Sequence, residues 1–145
     1  MKYAIIGCGR ISPNHIAAAI ENGLNIVGLC DIASERMEER SEEFNLPDSI
    51  SHYENYQEMI EMEKPDLVAI CTESGKHAAI ALDCIDAGCN LIIEKPIALS
   101  IKDADEIIAR SRYQKVKVCA CHQNRFNKSI QKIREAKEAG RFGKL

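Results

Sequence analysis

Residues 2–12 read Lys2-Tyr3-Ala4-Ile5-Ile6-Gly7-Cys8-Gly9-Arg10-Ile11-Ser12, an apolar, strand-like stretch that runs directly into a glycine-rich turn. A helical pattern follows the turn. Gly7 can make the sharp exit from the strand, and Gly9, which has no Cβ, lets the backbone approach a phosphate pair at the positive end of the helix. Ser12 stands at the third glycine position and is small enough for close packing of helix on strand. The pyrophosphate of a dinucleotide requires this order of elements.

A carboxylate in the expected place accompanies the glycine-rich turn. The second strand-like stretch, residues 25–30, ends on Asp31, about 20 residues beyond the glycines, where a carboxylate can accept hydrogen bonds from the adenosine ribose. Its charge would repel a 2′-phosphate, and no arginine follows before Arg36, so the sequence predicts NAD and not NADP. Two structural alternatives remain: a turn without ligand, and Asp31 as the N-cap of the next helix.

The bulk properties bound the class of protein. The 145 residues suffice for one domain. The net charge of -3, with acids and bases mixed along the chain, gives no basic surface for nucleic acid or anionic lipid. The apolar runs are too short for a membrane span, and Met1-Lys2 leads into a strand and not into a signal peptide. We therefore expect a cytoplasmic protein that has neither nucleic acid nor membrane as a partner.

The cysteines indicate a reduced protein. They are seven, an odd number, and most lie within apolar patterns, so we expect buried thiols and no disulfide framework. Cys119 and Cys121 precede His122, but they lie on a predicted strand whose successive side chains point to opposite faces. We therefore predict no metal site.

Strand-like and helical segments alternate along the whole chain. Strands are predicted near residues 2–7, 25–31, 50–53, 67–71, 91–94 and 116–121, and helices after Ser12-Pro13 and over 34–44, 56–62, 77–87, 101–113 and 127–139. This order predicts an α/β fold, a Rossmann-type doubly wound parallel sheet of about six strands with helices on both faces.

Local signals refine the helices. Pro13 suits an early helical position, and Ile16, Ala17 and Ile20 form the face that we expect to pack on the sheet. The candidate N-caps of later helices are Ser34, Asn55 and Ser100.

Polar clusters follow the predicted strands at their carboxyl ends, where a doubly wound sheet forms its ligand crevice. These clusters are residues 7–10, Asp31, residues 72–74, residues 94–96 and residues 122–125.

From Glu94-Lys95-Pro96 outward the chain resembles the Gfo/Idh/MocA family of nicotinamide-dependent oxidoreductases. The resemblance covers essentially all 145 residues and is carried by the runs 7–11, 30–31, 70–72 with His77, 94–96, 123–127 and 140–145. The last two runs look most like the branch acting on nucleotide-linked sugar acids, the UDP-N-acetyl-glucosaminuronate 3-dehydrogenases. Family members continue into a second α/β domain with the substrate pocket and a His or Asp acid/base residue. We therefore expect residues 1–145 to be the dinucleotide-binding half, without the C-terminal substrate domain.

The resemblance implies cofactor contacts along the crevice. Arg10 and Ile11 would present backbone N–H groups to the pyrophosphate, which a helix N-terminus also favours. Thr72 would lie along the cofactor, although the family's usual Thr-Pro-Asn/Ser is here Thr72-Glu73-Ser74. His77 would orient that loop or cap the following helix, and Glu94 would position the nicotinamide or Lys95.

Lys95 is the predicted catalytic residue and also a substrate contact. Its ammonium could hydrogen-bond a substrate hydroxyl and stabilise the alkoxide character that develops as hydride leaves carbon. We expect Lys95 to be buried beside a cationic neighbour, which would favour a neutral amine. A surface Glu-Lys pair at the end of an edge strand is the structural alternative. Pro96 after Lys95 suggests a cis peptide bond.

Asn124 and Arg125 are the remaining candidate substrate contacts, since a forked guanidinium suits an anionic or hydroxyl-rich ligand. Asn127 could join them or cap the last helix. His15 and His52 are interpreted as surface or packing residues.

The resulting hypothesis is an NAD-dependent dehydrogenase of a sugar or nucleotide sugar, inactive as an isolated domain and homo-oligomeric at full length. Two other classes stay open: a non-catalytic NAD(H)-binding regulator or scaffold module, and a methyltransferase, whose S-adenosylmethionine site also uses a glycine-rich turn and an acidic residue.

Overall fold

The computed structural model describes residues 1–144, which fold into a parallel sheet with helices on both faces. The strands are β1 Lys2–Ile6, β2 Asn25–Cys30, β3 Ser51–Tyr53, β4 Leu67–Ile70, β5 Asn90–Ile93 and β6 Val118–Ala120. The helices are α1 Ser12–Glu21, α2 Ser34–Glu43, α3 Tyr56–Glu63, α4 His77–Asp86, α5 Ile101–Gln114 and α6 Lys128–Glu138. Two short 3₁₀ helices cover Ser74–Lys76 and Gln123–Phe126.

The strand order is β3-β2-β1-β4-β5-β6, and every neighbouring pair is parallel. The order reverses between β1 and β4, because the chain works outward to β3 before it returns to the other side of β1. Ligands of doubly wound sheets bind at the carboxyl ends of the strands beside this reversal. The predicted fold class is confirmed.

Strand β1 divides the core into two layers. Ala4 and Ile6 point into the layer covered by α3, α4 and α5, whereas Tyr3 and Ile5 point into the layer under α1 and α2. All four side chains are buried. A central strand buried on both faces reads as a continuous apolar run, which residues 3–6 do.

Two helix predictions need correction. Helix α1 packs on the sheet through Ser12, Ile16 and Ala19, whereas Ala17 and Ile20 are exposed. The packed face keeps Ile16 but continues through Ala19 in place of Ala17 and Ile20, in line with Ser12 one turn earlier. Ser34 is the first residue of α2 and not its N-cap, since Ala33 holds that position without a side-chain bond.

The two other predicted caps are confirmed. The Asn55 Oδ1 accepts a hydrogen bond from the Gln57 amide at 2.8 Å, and the Ser100 Oγ accepts one from the Asp103 amide at 3.0 Å. Each bond satisfies an amide that has no partner within the first turn of a helix.

The cysteines are free thiols, as predicted, but they are not all buried. Five of them, Cys8, Cys30, Cys71, Cys84 and Cys89, are buried, whereas Cys119 is exposed and Cys121 is half-buried. Burial raises the pKa of the Cys8 and Cys30 thiols to about 12 each. The buried thiols are therefore inert core residues.

The C-terminal helix differs from the others, because none of its residues is buried. Its apolar Ile130 and Ile133 face solvent. Nowhere in residues 1–144 is a helix both long enough and apolar enough to cross a bilayer.

Candidate functional site

A crevice of about 890 Å³ opens at the carboxyl ends of the strands. Its walls include nine of the predicted site residues: Gly7, Gly9, Arg10, Ile11, Asp31, Thr72, His77, Glu94 and Lys95. They come from the ends of β1, β2, β4 and β5 and from the start of α4, so the topology brings together residues that lie up to 88 positions apart in the sequence.

Gly7 makes the exit from β1. Its φ of +96° is a conformation that side chains rarely adopt. A Cβ at Gly7 would also lie 2.7 Å from the backbone of Cys71 and Thr72 at the end of β4. Glycine is therefore required by the backbone conformation and by close packing of two strand ends, before any ligand is considered.

Gly9 has the opposite surroundings. A Cβ there would meet nothing within 4 Å, so the space above it is open crevice. In residues 1–144 the amide N–H groups of Gly9, Arg10 and Ile11 have no hydrogen-bond acceptor. The loop itself is held from below, because the buried Ser12 hydroxyl donates to the Gly9 carbonyl at 2.7 Å. Free amides at a helix N-terminus suit a diphosphate.

Asp31 ends β2 and lies in the crevice wall. Its carboxylate accepts from the Cys8 amide at 2.8 Å and from the Ala33 amide at 3.0 Å, and it is almost fully buried. The bond to Ala33 is an Asx turn ahead of α2, so the predicted alternative of an N-cap is wrong in position, although the carboxylate does order the approach to that helix. Backbone amides thus hold the carboxylate at the edge of the glycine loop.

Arg36 is a neighbour that the sequence did not place in the site. Its Nη1 lies 3.4 Å from the Asp31 Oδ1, while the side chain is about half exposed and also lines the crevice. The guanidinium therefore balances the Asp31 charge and stays free to move.

His77 fastens two loops of the crevice together. Its Nδ1 lies 2.8 Å from the Pro96 carbonyl oxygen and its Nε2 lies 2.9 Å from the Thr72 carbonyl oxygen, with the ring fully buried. A neutral imidazole has one N–H and can donate to one of these two carbonyls, whereas an imidazolium can donate to both. Because both nitrogens face backbone carbonyls, the ring orients the Thr72 loop, as predicted, and has no nitrogen left for a ligand.

Glu94 ends β5 and is also buried. Its Oε1 lies 3.0 Å from the His15 Nε2, and its Oε2 accepts from the Lys95 amide at 3.2 Å. His15 was predicted to be a surface or packing residue, and it is packed, since its side chain is only 10% exposed and lies against Glu94. His52, in contrast, is exposed and pairs with Ser41, as predicted.

Lys95 lines the crevice but is exposed, so the predicted burial is wrong. It follows directly after the strand end, where β5 gives way to a turn whose Lys95–Pro96 peptide bond is cis. Lys95 therefore lies on a solvent-accessible part of the crevice wall.

The predicted substrate contacts of the last segment are not part of the crevice wall. Asn124 and Arg125 lie on the exposed 3₁₀ helix Gln123–Phe126, and the crevice is lined there by Gln123. Asn127 caps α6, because its Oδ1 accepts from the Ser129 amide at 2.9 Å. Of the two roles left open for Asn127, the structure contains the helix cap. Leu145, the end of the run 140–145, lies outside the described residues.

Sequence reasoning missed His15 and Gln123. His15 lies three residues after the buried Ser12 and directly before the buried Ile16, so it points along the side of α1 that faces the sheet. This spacing could have indicated from the sequence that His15 is directed toward the sheet. Gln123 lies in the polar cluster 122–125, but nothing in its local pattern distinguishes it from Asn124 and Arg125, which were chosen instead.

Comparison with known proteins agrees with this geometry. The sequence model of GFO_IDH_MocA, described as an oxidoreductase family with an NAD-binding Rossmann fold, matches residues 1–122.

Two curated relatives match nearly the whole chain. The myo-inositol 2-dehydrogenase of Thermotoga maritima is 27% identical over 99% of this chain and 42% of its own length. The D-apiose dehydrogenase of Paraburkholderia graminis is 32% identical over 98% of this chain and 37% of its own length. The chain thus spans less than half the length of these relatives.

Among solved structures, the WlbA dehydrogenase from Bordetella pertussis, in complex with NADH and UDP-GlcNAcA, superimposes with a TM-score of 0.88 at 28% identity. The superposition covers 98% of this chain and 43% of that protein.

Proposed function

The chain belongs to the Gfo/Idh/MocA oxidoreductase family, and the match is to the NAD-binding Rossmann domain of that family. We propose that the chain is the cofactor-binding half of a dehydrogenase. The proposed reaction moves a hydride between the nicotinamide of NAD and a secondary alcohol carbon of a sugar or nucleotide sugar. Family membership removes the methyltransferase alternative, because the matching family is one of oxidoreductases.

The observation that supports this proposal most is that one crevice has two chemically different ends. One end has free amides at Gly9, Arg10 and Ile11 beside the buried Asp31, which fits a diphosphate and a ribose. The other end has Glu94 and Lys95, which offer an acceptor and a donor to a polar ring and to a hydroxyl group.

When bound, NAD supplies the hydride acceptor for alcohol oxidation or, reduced, the hydride donor. The proposed task of Lys95 is to donate a hydrogen bond to the substrate hydroxyl oxygen, which becomes more alkoxide-like as the hydride leaves carbon. Stabilising charge that develops in the transition state lowers the barrier more than binding the ground state does. Glu94 is a positioning residue, since one oxygen accepts from the Lys95 amide and the other lies against His15.

Polyols and sugars are the proposed substrate class, because the relatives are named as dehydrogenases of myo-inositol and D-apiose. Within this class we propose nucleotide-linked sugar acids, since the similar WlbA structure holds UDP-GlcNAcA. We further predict a second domain that contains the substrate pocket and an acid/base residue. Assembly as a homo-oligomer also stays a prediction.

The test uses the protein expressed from its complete gene with NAD⁺ and a panel of polyols, sugars and UDP-linked sugar acids. We expect NADH formation, detected by absorbance, with UDP-linked sugar acids and not with simple alcohols. Lys95→Ala should lower kcat by about 100-fold or more, because positioned acid/base groups contribute about that factor.

Lys102→Ala is the matched control, since Lys102 is exposed on α5 and does not line the crevice. It should leave kcat unchanged. Undiminished turnover in Lys95→Ala would contradict the role given to Lys95. Tight NADH binding without oxidation of any substrate would instead favour the alternative of a non-catalytic NAD(H)-binding module.

A further inference from the structure

Three chemically different side chains meet behind the exposed Lys95. A His15 ring nitrogen, a Glu94 carboxylate oxygen and the Cys121 Sγ all lie within 4.8 Å of one another. Glu94 is buried, and His15 and Cys121 are partly buried. A nitrogen, an oxygen and a sulfur atom thus converge where water has restricted access.

Three different elements fix this cluster. His15 is on α1, Glu94 follows β5 directly, and Cys121 follows β6 directly. The Cys121 amide donates to the Ile93 carbonyl at 2.8 Å, which locks Cys121 beside the strand end that carries Glu94. Because Glu94 also accepts from the Lys95 amide through Oε2, its Oε1 is the oxygen turned toward His15. The convergence is therefore built by backbone pairing and not by three free side chains.

This donor set has the composition and spacing that suit zinc. Zinc bonds of about 2.0 to 2.3 Å to N, O and S ligands in a tetrahedron place the ligand atoms roughly 3.3 to 3.8 Å apart. The His15 Nε2 and the Glu94 Oε1 are 3.0 Å apart, and none of the three separations in the cluster exceeds 4.8 Å. Shifts of about 1 Å in the side-chain atoms would therefore bring all three to the spacing of zinc ligands. Thiolate and carboxylate together would neutralise a divalent ion. Hard ions such as Mg²⁺ are disfavoured by the sulfur and nitrogen ligands.

We propose that His15, Glu94 and Cys121 form a binding site for zinc or a similar divalent transition-metal ion, with the fourth position open. As the metal–sulfur bond forms, the Cys121 thiol releases its proton to solvent, and no atom changes oxidation state. The site departs from the sequence-based expectation of no metal, which considered Cys121 with Cys119 and His122 and not with the distant His15 and Glu94.

Occupation of this site has a consequence that rests on the proposed function. Glu94 lines the cofactor crevice, and a metal ion would take its Oε1 and pull the carboxylate toward Cys121. We therefore expect metal and NADH to compete, so that zinc inhibits the enzyme.

The test is a titration of the full chain with Co²⁺ under anaerobic conditions, with a reductant that is not a thiol. Cobalt bound through Cys121 should give a near-ultraviolet sulfur-to-cobalt charge-transfer band and intense visible bands of tetrahedral cobalt, at one ion per chain. Zinc should displace the cobalt and remove both. Absence of the charge-transfer band would overturn the proposal.

The neighbouring Cys119 provides a matched control two residues away. Cys121→Ser should abolish the charge-transfer band, whereas Cys119→Ser should preserve it, because Cys119 is exposed and outside the cluster. His15→Gln should weaken cobalt binding at least 10-fold, as loss of a ligand does. A band that persists in Cys121→Ser, or that disappears in Cys119→Ser, would place the metal elsewhere and refute the site.

Repeating the cobalt titration at saturating NADH tests the competition separately. We expect the apparent cobalt affinity to fall at least 10-fold, with NADH binding itself monitored by its fluorescence. Unchanged cobalt affinity in the presence of bound NADH would refute the competition. Failure of NADH to bind would count against the proposed function and leave the cobalt result standing.

Discussion

The two ends of the crevice each carry a buried carboxylate, but the two carboxylates are held in different ways. Asp31, at the end of β2, accepts from two backbone amides, those of Cys8 and Ala33. Glu94, at the end of β5, accepts from its neighbour's amide and otherwise faces the imidazole of His15. The first end is built by the main chain of one continuous segment, Gly7 to Ala33, and the second is assembled by side chains from separate elements.

This difference indicates which end of the crevice tolerates amino-acid substitutions without loss of folding. Main-chain geometry around the glycine loop depends on conformations that few residues can adopt, so substitutions there should affect folding first. The side-chain end can lose one partner and keep its backbone. The predictions below test that contrast.

The largest effect is expected for Gly7→Ala. The new Cβ would lie 2.7 Å from the backbone at Cys71 and Thr72, on a residue whose φ is +96°. Steric overlap and the unfavourable conformation together should lower the free energy of unfolding by about 3 kcal/mol or more. Urea denaturation measures this change.

Gly9→Ala, two residues away, is the control, since its Cβ meets nothing within 4 Å. It should leave the free energy of unfolding within about 0.5 kcal/mol of the wild type but weaken NADH binding, because the methyl group enters the phosphate space. Equal stability losses in the two variants would contradict the contrast between the closely packed Gly7 and the open Gly9.

The next effect concerns Asp31. Asp31→Ala removes a charged acceptor for the ribose and should weaken NADH binding about 10- to 100-fold, measured by fluorescence titration. Since Arg36 lies beside the lost carboxylate, NADPH binding should improve in the same variant.

The double variant Asp31→Ala, Arg36→Ala isolates the guanidinium, and it should lose the gain in NADPH affinity. Unfolding curves of both variants are required as well, because Asp31 also accepts from Cys8 and Ala33. Unchanged NADH affinity in Asp31→Ala would remove the ribose contact from the proposal.

A smaller effect is expected at the other end for His77→Gln. The His77 ring is fully buried, and a flexible glutamine can reach at most one of the two carbonyls that the ring joins. Lost packing and one lost contact should together cost about 1 kcal/mol of stability. His52→Gln is the matched control, because His52 is exposed and bonds only to Ser41. If the two variants lose equal stability, His77 does not fasten the Thr72 and Pro96 loops.

The sequence predicted the fold and the position of Asp31 beside the glycine loop because both follow local rules. Strands buried on both faces appear as apolar runs, and a glycine loop with a carboxylate after the next strand has a fixed spacing. His77 was also placed correctly, since it starts a helix after a strand end.

The end of the crevice that carries Glu94 and Lys95 was only half predictable. Glu94 and Lys95 were found from the family resemblance, but the contact of His15 with Glu94 joins residues 79 positions apart. The exposure of Lys95 likewise depends on how the turn after β5 is packed and not on a local pattern. Cys121 was weighed with its sequence neighbours, whereas its spatial partners come from α1 and β5.

The smallest effect is expected for Arg125→Ala, which tests whether the segment after β6 belongs to the Glu94 end of the crevice at all. Arg125 is exposed and does not line the crevice, so stability should change by less than about 0.5 kcal/mol and NADH affinity should not change. If Arg125 contacts an anionic substrate, KM of the complete protein should rise while NADH binding stays constant. A loss of NADH affinity would instead extend the cofactor site to the 3₁₀ helix Gln123–Phe126, where only Gln123 now reaches it.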